Sequence, residues 1–405
     1  MATIQIKHIG ALTNTGIVPL TPVLLFIGKQ SSGKSTLMKI LCFCRWLEKL
    51  IMVESEKDVV FLYTHNFKFQ SDLMRFHRFN ETYFSKDSSI LYEGDTLRIS
   101  WEGFNSNSKI EKKANFEKLH FNTKLSFIPS ERNLISVIKN VDRNYKASDF
   151  DLLFNFMLEW DEARNAYTTD NPVSLSISDQ MDYVNEGGID VIRLKNNNKS
   201  LSPFYVSSGV QSAMPIEVMV DYYTKQVGQK VHVSKDDLTK AIRRMLEGGE
   251  NVSTDTLSQL ASHPVYQSVQ LFIEEPEQNL YPDAQRDLLL KIIQKIKIAS
   301  KISPKHQSMV VFTTHSPYVL SVLNVLISLA HIRQSHADFS LSEHLIDEEN
   351  LFGTKDFSAY YIRPDGTLIS IIDKEIPMIS GEHLDGVSDW VDDQIAKINT
   401  RLYGE

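Results

Sequence analysis

The chain has 405 residues, 42% of them hydrophobic, enough for a large core in one extended domain or two lobes. A net charge of −8 keeps the surface as a whole from attracting nucleic acid, so any such contact needs a local basic patch. No apolar run approaches the roughly 20 residues of a membrane span, and the first ten residues lack the charged-then-apolar pattern of a secretory signal.

Taken in order, residues 4–9 alternate in polarity and read as a first strand, with a turn over 13–16. Val23, Leu24, Leu25, Phe26 and Ile27 form an apolar run that reads as a buried strand. It feeds Gly28-Lys29-Gln30-Ser31-Ser32-Gly33-Lys34-Ser35-Thr36, which fits G-x-x-x-x-G-K-[ST] at every fixed position. A helical pattern from residue 35 to about residue 50 follows, with Leu37, Ile40, Leu41 and Leu47 on its buried face. Strand, glycine loop and helix in that order make a phosphate cradle. Gly28 and Gly33 let the main chain approach phosphate. The loop N–H groups and the helix N-terminus attract an anion. Lys34 reaches the β- and γ-phosphates, and the Ser35 hydroxyl ligates Mg²⁺. Lys29, Ser31, Ser32 and Thr36 complete the cradle. Cys42 and Cys44 lie two apart on the helix and do not face each other, so they read as core thiols in a reducing, cytoplasmic setting.

Residues 59–63 and 96–101 read as strands, 73–84 as helical and 105–113 as a basic loop, together a β-rich lobe inserted over 51–123. Residues 124–128 are the next core strand, ended by Pro129-Ser130-Glu131-Arg132-Asn133. A helix over 136–160, a strand over 190–194 and a turn at 196–198 make a mixed lobe, 134–205. A helix runs to about residue 226, and 228–267 is an insertion whose own helix, 236–247, is capped by Ser234. Residues 269–273 form a second buried strand, ending in Glu274-Glu275-Pro276-Glu277, and an amphipathic helix spans 282–299. Residues 309–312 are a third buried strand, ending in Thr313-Thr314-His315-Ser316-Pro317. Residues 360–372 form a hairpin around Pro364-Asp365-Gly366.

In an α/β sheet of this kind ligands bind beyond the carboxyl ends of the strands. The loops after Ile27, Ile273 and Phe312 are therefore expected to converge on one nucleotide. Glu274 is assigned to the metal and Glu275 to the attacking water, with His315 on the γ-phosphate or that water. Paired acids at a strand end can also be a solvated turn, and a lone histidine there can be structural; the phosphate loop upstream favours chemistry.

The order phosphate loop, Ser207-Ser208-Gly209-Val210-Gln211, paired acids, histidine resembles the ABC-type ATPases, and within them the branch of the SMC, RecF and OLD proteins. Glu274-Glu275-Pro276-Glu277-Gln278-Asn279-Leu280-Tyr281-Pro282 is similar to that branch's Walker B and D-loop. Phe312-Thr313-Thr314-His315-Ser316-Pro317 looks like its switch histidine. The resemblance covers about residues 1–330. It implies an α/β P-loop NTPase with a two-lobe head: a parallel core sheet, a β-rich lobe and a helical subdomain. It also implies ATP with Mg²⁺ and a homodimer or higher even-numbered homo-oligomer. Ser208 and Gly209, with Ser207 and Gln211 beside them, would then contact the γ-phosphate bound to a second subunit. The same serines also suit a helix N-cap.

Two departures stand out. Pro129-Ser130-Glu131-Arg132-Asn133 occupies the place of the family's glutamine loop, so Ser130 or Glu131 could lie near the metal, and Arg132 could equally brace the fold. The signature is also not Leu-Ser-Gly-Gly-Gln. No long heptad run supports an SMC tether, and the 90 residues after His315 leave little room for an OLD-type nuclease domain. The layout resembles the stand-alone ATPases of bacterial anti-phage systems, such as PtuA of Septu and AriA of PARIS, which act with separate nucleases. The expected partner is such an effector, docked on 228–267 or on the tail 340–405. A RecF-like DNA-binding ATPase is the alternative, resting on the lysines of 291–305 and the basic stretch 109–124. A transporter's nucleotide-binding subunit is third.

Overall fold

The computed structural model describes residues 1–53, 56–116, 122–137, 151–197, 199–229, 265–335, 351–373, 377–382 and 386–403. The chain opens with β1 (Thr3–Ile9), β2 (Leu12–Asn14) and β3 (Val18–Pro19), then enters β4 (Val23–Gly28) and α1 (Lys34–Val53). Two helices, α2 (Glu56–Tyr63) and α3 (Lys68–His77), lead to β5 (Ser89–Glu93), β6 (Leu97–Glu102) and β7 (Lys109–Lys112). These three strands return to the first sheet, whose order is β2-β1-β5-β6-β7 with β3 on β1, all antiparallel. The β lobe expected over 51–123 thus also takes in the chain's first strands.

The second sheet is central. Its order is β16-β15-β4-β14-β13-β8, from β8 (Thr123–Ile128), β13 (Ser268–Glu274), β14 (Met309–Thr314), β15 (Phe357–Ile362) and β16 (Leu368–Ser370). All its pairs are parallel except β15–β16. Every residue of β4, β13 and β14 is buried, as a sheet covered on both faces requires. Val23, Leu25 and Ile27 enter one core with Val310, Phe312, Leu271 and Ile273. Leu24 and Phe26 enter the other with Val311, Phe272 and the α1 residues Leu37, Ile40 and Leu41. The parallel α/β core and the antiparallel β lobe agree with the fold class read from the sequence.

Between β8 and β13 lie α4 (Leu134–Val137), α5 (Leu152–Arg164), a four-stranded sheet and α6 (Ser208–Lys225). That sheet is β12-β11-β10-β9, from β9 (Val173–Ser174), β10 (Met181–Glu186), β11 (Ile189–Leu194) and β12 (Lys199–Leu201). Asp151 caps α5 by accepting from the Phe154 N–H at 3.0 Å. Helices α7 (Pro282–Ile302) and α8 (Pro317–Ser335) add their apolar stripes to the same core, and α9 (Gly386–Tyr403) closes the chain.

Three sequence expectations change. Residues 59–63 are helical, in α2: Val59 and Tyr63, one turn apart, are buried while Phe61 is 64% exposed, a helical stripe within an apolar run that mimics a strand. The basic loop over 105–113 ends in the edge strand β7, whose lysines suit an exposed sheet edge. The hairpin of the 340–405 tail is built into the central sheet beside the phosphate-loop strand. Helix 136–160 is seen as α4 and α5, its middle outside the described residues, as is the helix expected at 236–247.

His77 is 1% exposed among Phe43, Phe76, Phe79 and Phe127. Neither ring nitrogen has a hydrogen-bond partner among the described residues. Burial, helped by the Lys39 charge, holds its pKa well below the usual 6.5. The folded ring stays neutral where the unfolded one takes a proton, so its contribution is present above pH 6.5 and lost as pH falls. Each unit below 6.5 is expected to cost about 1.4 kcal/mol. Urea unfolding at pH 7.5 and 5.5 checks this: the loss on acidification should be smaller in His77→Leu than in the natural protein by about that amount.

Candidate functional site

The strand register brings the carboxyl ends of the central sheet level. Ile27 pairs with Thr314, Thr313 with Glu274, and Ile273 with Ile128. The phosphate loop, the acidic turn, the histidine loop and Pro129–Asn133 therefore leave the sheet along one edge.

In the phosphate loop, Ser31 (φ 60°) and Gly33 (φ 103°) are left-handed. A Cβ on Gly33 would stand 2.9 Å from the Leu12 side chain, so both conformation and space require glycine. Lys34 is buried, and its ammonium donates to the carbonyls of Gly28 and Lys29, each at 2.9 Å. Burial lowers its pKa to about 8, against the pull of Glu275, Glu277 and Glu274. The Ser32 hydroxyl is buried with no partner among the described residues. Lys29, Ser31 and Ser35 are exposed, and Thr36 is buried on the first turn of α1.

The acidic turn divides its carboxylates among three tasks. Glu274 is buried; its Oε2 accepts from the Ser130 N–H at 3.2 Å, and its Oε1 has no partner among the described residues. Glu275 has φ 43°, donates its N–H to the Thr313 carbonyl at 2.9 Å, and holds Oε1 3.4 Å from His315 Nε2. Glu277 Oε1 accepts from the Thr314 hydroxyl at 2.6 Å and from the His315 N–H at 2.8 Å. Sequence reading gave Glu277 no task, although a third acid just past Glu275 and a proline was the available signal. Burial and the Lys34 charge lower the His315 pKa, against Glu275 and Glu277, which keeps the ring neutral at neutral pH.

The serine–glycine segment begins α6. Ser207 is its N-cap, accepting from the Val210 N–H at 3.4 Å. Ser208 is exposed on the first turn. A Cβ on Gly209 would lie 2.9 Å from the Asn279 carbonyl, so the acidic turn rests on glycine. Asn279 Nδ2 also donates to the Ser212 hydroxyl at 2.9 Å. The Gln211 amide, expected at nucleotide, donates to the carbonyls of Pro203 and Phe204 within its own chain. In Pro129–Asn133, the Glu131 carboxylate accepts from the Ser130 hydroxyl at 3.1 Å, while Arg132 is wholly buried.

This donor set fits a divalent cation shared with phosphate. Glu274 Oε1 is an unsatisfied buried acceptor, and Ser35 opens its hydroxyl at the helix start. Among the described residues no group of three or more His, Cys, Asp or Glu forms a cage. A Mg²⁺ site supplied by one carboxylate, one hydroxyl and phosphate oxygens needs none.

Several of the lysines expected to form a DNA-binding face are engaged within the chain. Lys291 pairs with Glu217 at 2.5 Å, Lys295 with Asp221 at 2.6 Å, and Lys297 lies over the Phe352 ring. Lys113 pairs with Glu93, and Lys112 lies over Phe116. Among the described residues, no helix is long and apolar enough to cross a membrane.

Residues 266–321 match the sequence model of a family described as "AAA domain, putative AbiEii toxin, Type IV TA system". That stretch holds β13, the acidic turn, α7 and the His315 loop, and leaves out the phosphate loop. No curated protein matches the chain. Among solved structures, the SMC head domain from Thermotoga maritima is 9% identical, covering 91% of this chain and 98% of its own, with a TM-score of 0.34. The Smc head domain of Pyrococcus furiosus bound to the C-terminal domain of ScpA is 9% identical, covering 97% and 100%, at 0.37. The recombination mediator RecF is 11% identical, covering 91% and 97%, at 0.30. Scores at this level carry nothing about the site, which rests on its own geometry.

Proposed function

We propose that the chain is an ABC-type ATPase that closes as a homodimer around ATP and Mg²⁺, and that closure controls a separate effector protein. The observation that carries this is the meeting of Lys34, Glu274, Glu275 and His315 on one edge of the parallel sheet, with Glu275 and His315 3.4 Å apart. The loop N–H groups, the start of α1 and Lys34 bind the triphosphate. Ser35 and Glu274 hold the cation, whose charge offsets that building on the phosphates. Glu275 accepts the proton of the attacking water, and the neutral His315 hydrogen-bonds the γ-phosphate or that water. Glu277 holds the histidine loop in place.

The dimer is argued from Ser208 and Gly209, which begin α6 at an exposed helix N-terminus pressed against the acidic turn. Such a terminus suits a phosphate from another subunit. The description of the matched family supports a toxin or defence setting; a nuclease is the effector we propose for it. The pairing of Lys291 and Lys295 with Glu217 and Asp221 favours this reading over a DNA clamp.

Ser208→Glu tests the dimer. In a Glu275→Gln background, ATP is expected to shift the protein from monomer to dimer by light scattering, and Ser208→Glu to abolish that shift while each monomer still binds nucleotide. A Ser208→Glu protein that dimerises as well as its parent removes the serine–glycine cap from the proposal.

A further inference from the structure

Arg132 occupies a 3₁₀ turn, Ser130–Asn133, directly after β8, and its side chain is 0% exposed. Among the described residues its guanidinium donates only to main-chain carbonyls, on two segments distant in sequence and on its own turn. Nε reaches Ser212 on α6 at 2.8 Å. Nη1 reaches Glu274 at 2.7 Å and Pro129 at 3.2 Å. Nη2 reaches Glu275 at 2.6 Å. Burial lowers its pKa to about 10, so it stays charged at neutral pH among Glu277, Glu275, Glu274 and Glu131.

Two features mark this as more than a core brace. First, Glu275 is a non-glycine residue at φ 43°, a conformation that persists only where its surroundings hold it. Its N–H is held by the Thr313 carbonyl and its carbonyl by Arg132. Second, the same guanidinium holds α6, whose first turn carries Ser208 and Gly209, and Asn279 holds Ser212 again through its hydroxyl. A planar fork of five donors can span these carbonyls at once; a single ammonium cannot.

We propose that Arg132 is a positioning residue that fixes Glu275 for water activation and locks the acidic turn to α6, so that the hydrolytic acid and the serine–glycine cap move as one body. This rests on the ATPase function proposed above. Among the described residues the Arg132 guanidinium hydrogen-bonds only main-chain carbonyls, so it acts through Glu275 and α6, and its removal changes turnover and self-association and leaves nucleotide affinity in place.

The experiment compares the natural protein, Glu275→Gln and Arg132→Lys for melting temperature, affinity for a fluorescent ATP analogue, kcat and KM. ATP-driven dimerisation is measured for Arg132→Lys combined with Glu275→Gln. In Arg132→Lys, kcat is expected to fall at least ~10-fold with nucleotide affinity within about threefold, and dimerisation to weaken at least ~10-fold. Natural kcat and dimerisation in a folded Arg132→Lys overturn the proposal, as does a loss confined to melting temperature. If Arg132→Lys does not fold, Ser212→Ala replaces it, because it cuts the Asn279 strut on the same helix and removes one hydroxyl. A drop in kcat at unchanged affinity then supports the coupling, and an unchanged kcat overturns it. If the natural protein shows no turnover that Glu275→Gln removes, the ATPase function fails instead, so the two failures are distinct.

Discussion

Glu275→Gln is expected to lower ATP turnover by about 10²-fold or more while leaving nucleotide affinity within a few-fold. The amide keeps the size and the polar contact with His315, 3.4 Å away, but cannot take a proton. Because the main chain of Glu275 is held from both sides, by Thr313 and Arg132, the substitution leaves the strained turn in place. The variant should therefore accumulate the closed, ATP-bound dimer, visible as a dimer in ATP and a monomer in ADP. Phosphate release at the natural rate in this variant takes Glu275 out of the chemistry.

Lys34→Ala carries the second large effect, on binding. Its ammonium is buried and already ties Gly28 to Lys29 through two carbonyls. The substitution therefore removes both the charge aimed at phosphate and the brace that shapes the loop. A buried charge-assisted contact of this kind contributes about 1.5–3 kcal/mol, so ATP affinity is expected to fall roughly 10- to 100-fold. Equilibrium titration with a fluorescent ATP analogue reads this directly. An unchanged dissociation constant would mean that the triphosphate lies elsewhere.

The central strands and the motifs at their ends were legible in the sequence because each strand carries an apolar run (residues 23–27, 271–273 and 309–312) that ends in a short polar motif of fixed chemistry. Val23–Gly28, Ser268–Glu274 and Met309–Thr314 are such strands, buried along their whole length. Residues 59–63 were not legible: five apolar residues in a row carry no period, and only α1 and α3 packing on one side decides for a helix. Glu277 and Arg132 were missed or left open for a related reason. Arg132 acts through main-chain carbonyls, which have no letter in a sequence, and Glu277 through the Thr314 hydroxyl and His315 N–H, 37 and 38 positions on. Arg132 reaches Ser212, 80 positions away, and Glu274, 142 away. Gln211, whose motif position suggests nucleotide, donates its amide to Pro203 and Phe204, a bond that its place in the motif does not announce.

The place of β4 in the sheet bears on how the protein comes into being. Its two hydrogen-bonded neighbours, β14 and β15, span Met309–Thr314 and Phe357–Ile362, so the strand that presents the phosphate loop waits for synthesis to pass residue 362. Pairings this distant in sequence form late. A ribosome-bound fragment that ends before residue 309 has the nine-residue motif but neither flanking strand to hold it. On the ATPase function proposed above, nucleotide capture therefore waits until β14 and β15 flank β4.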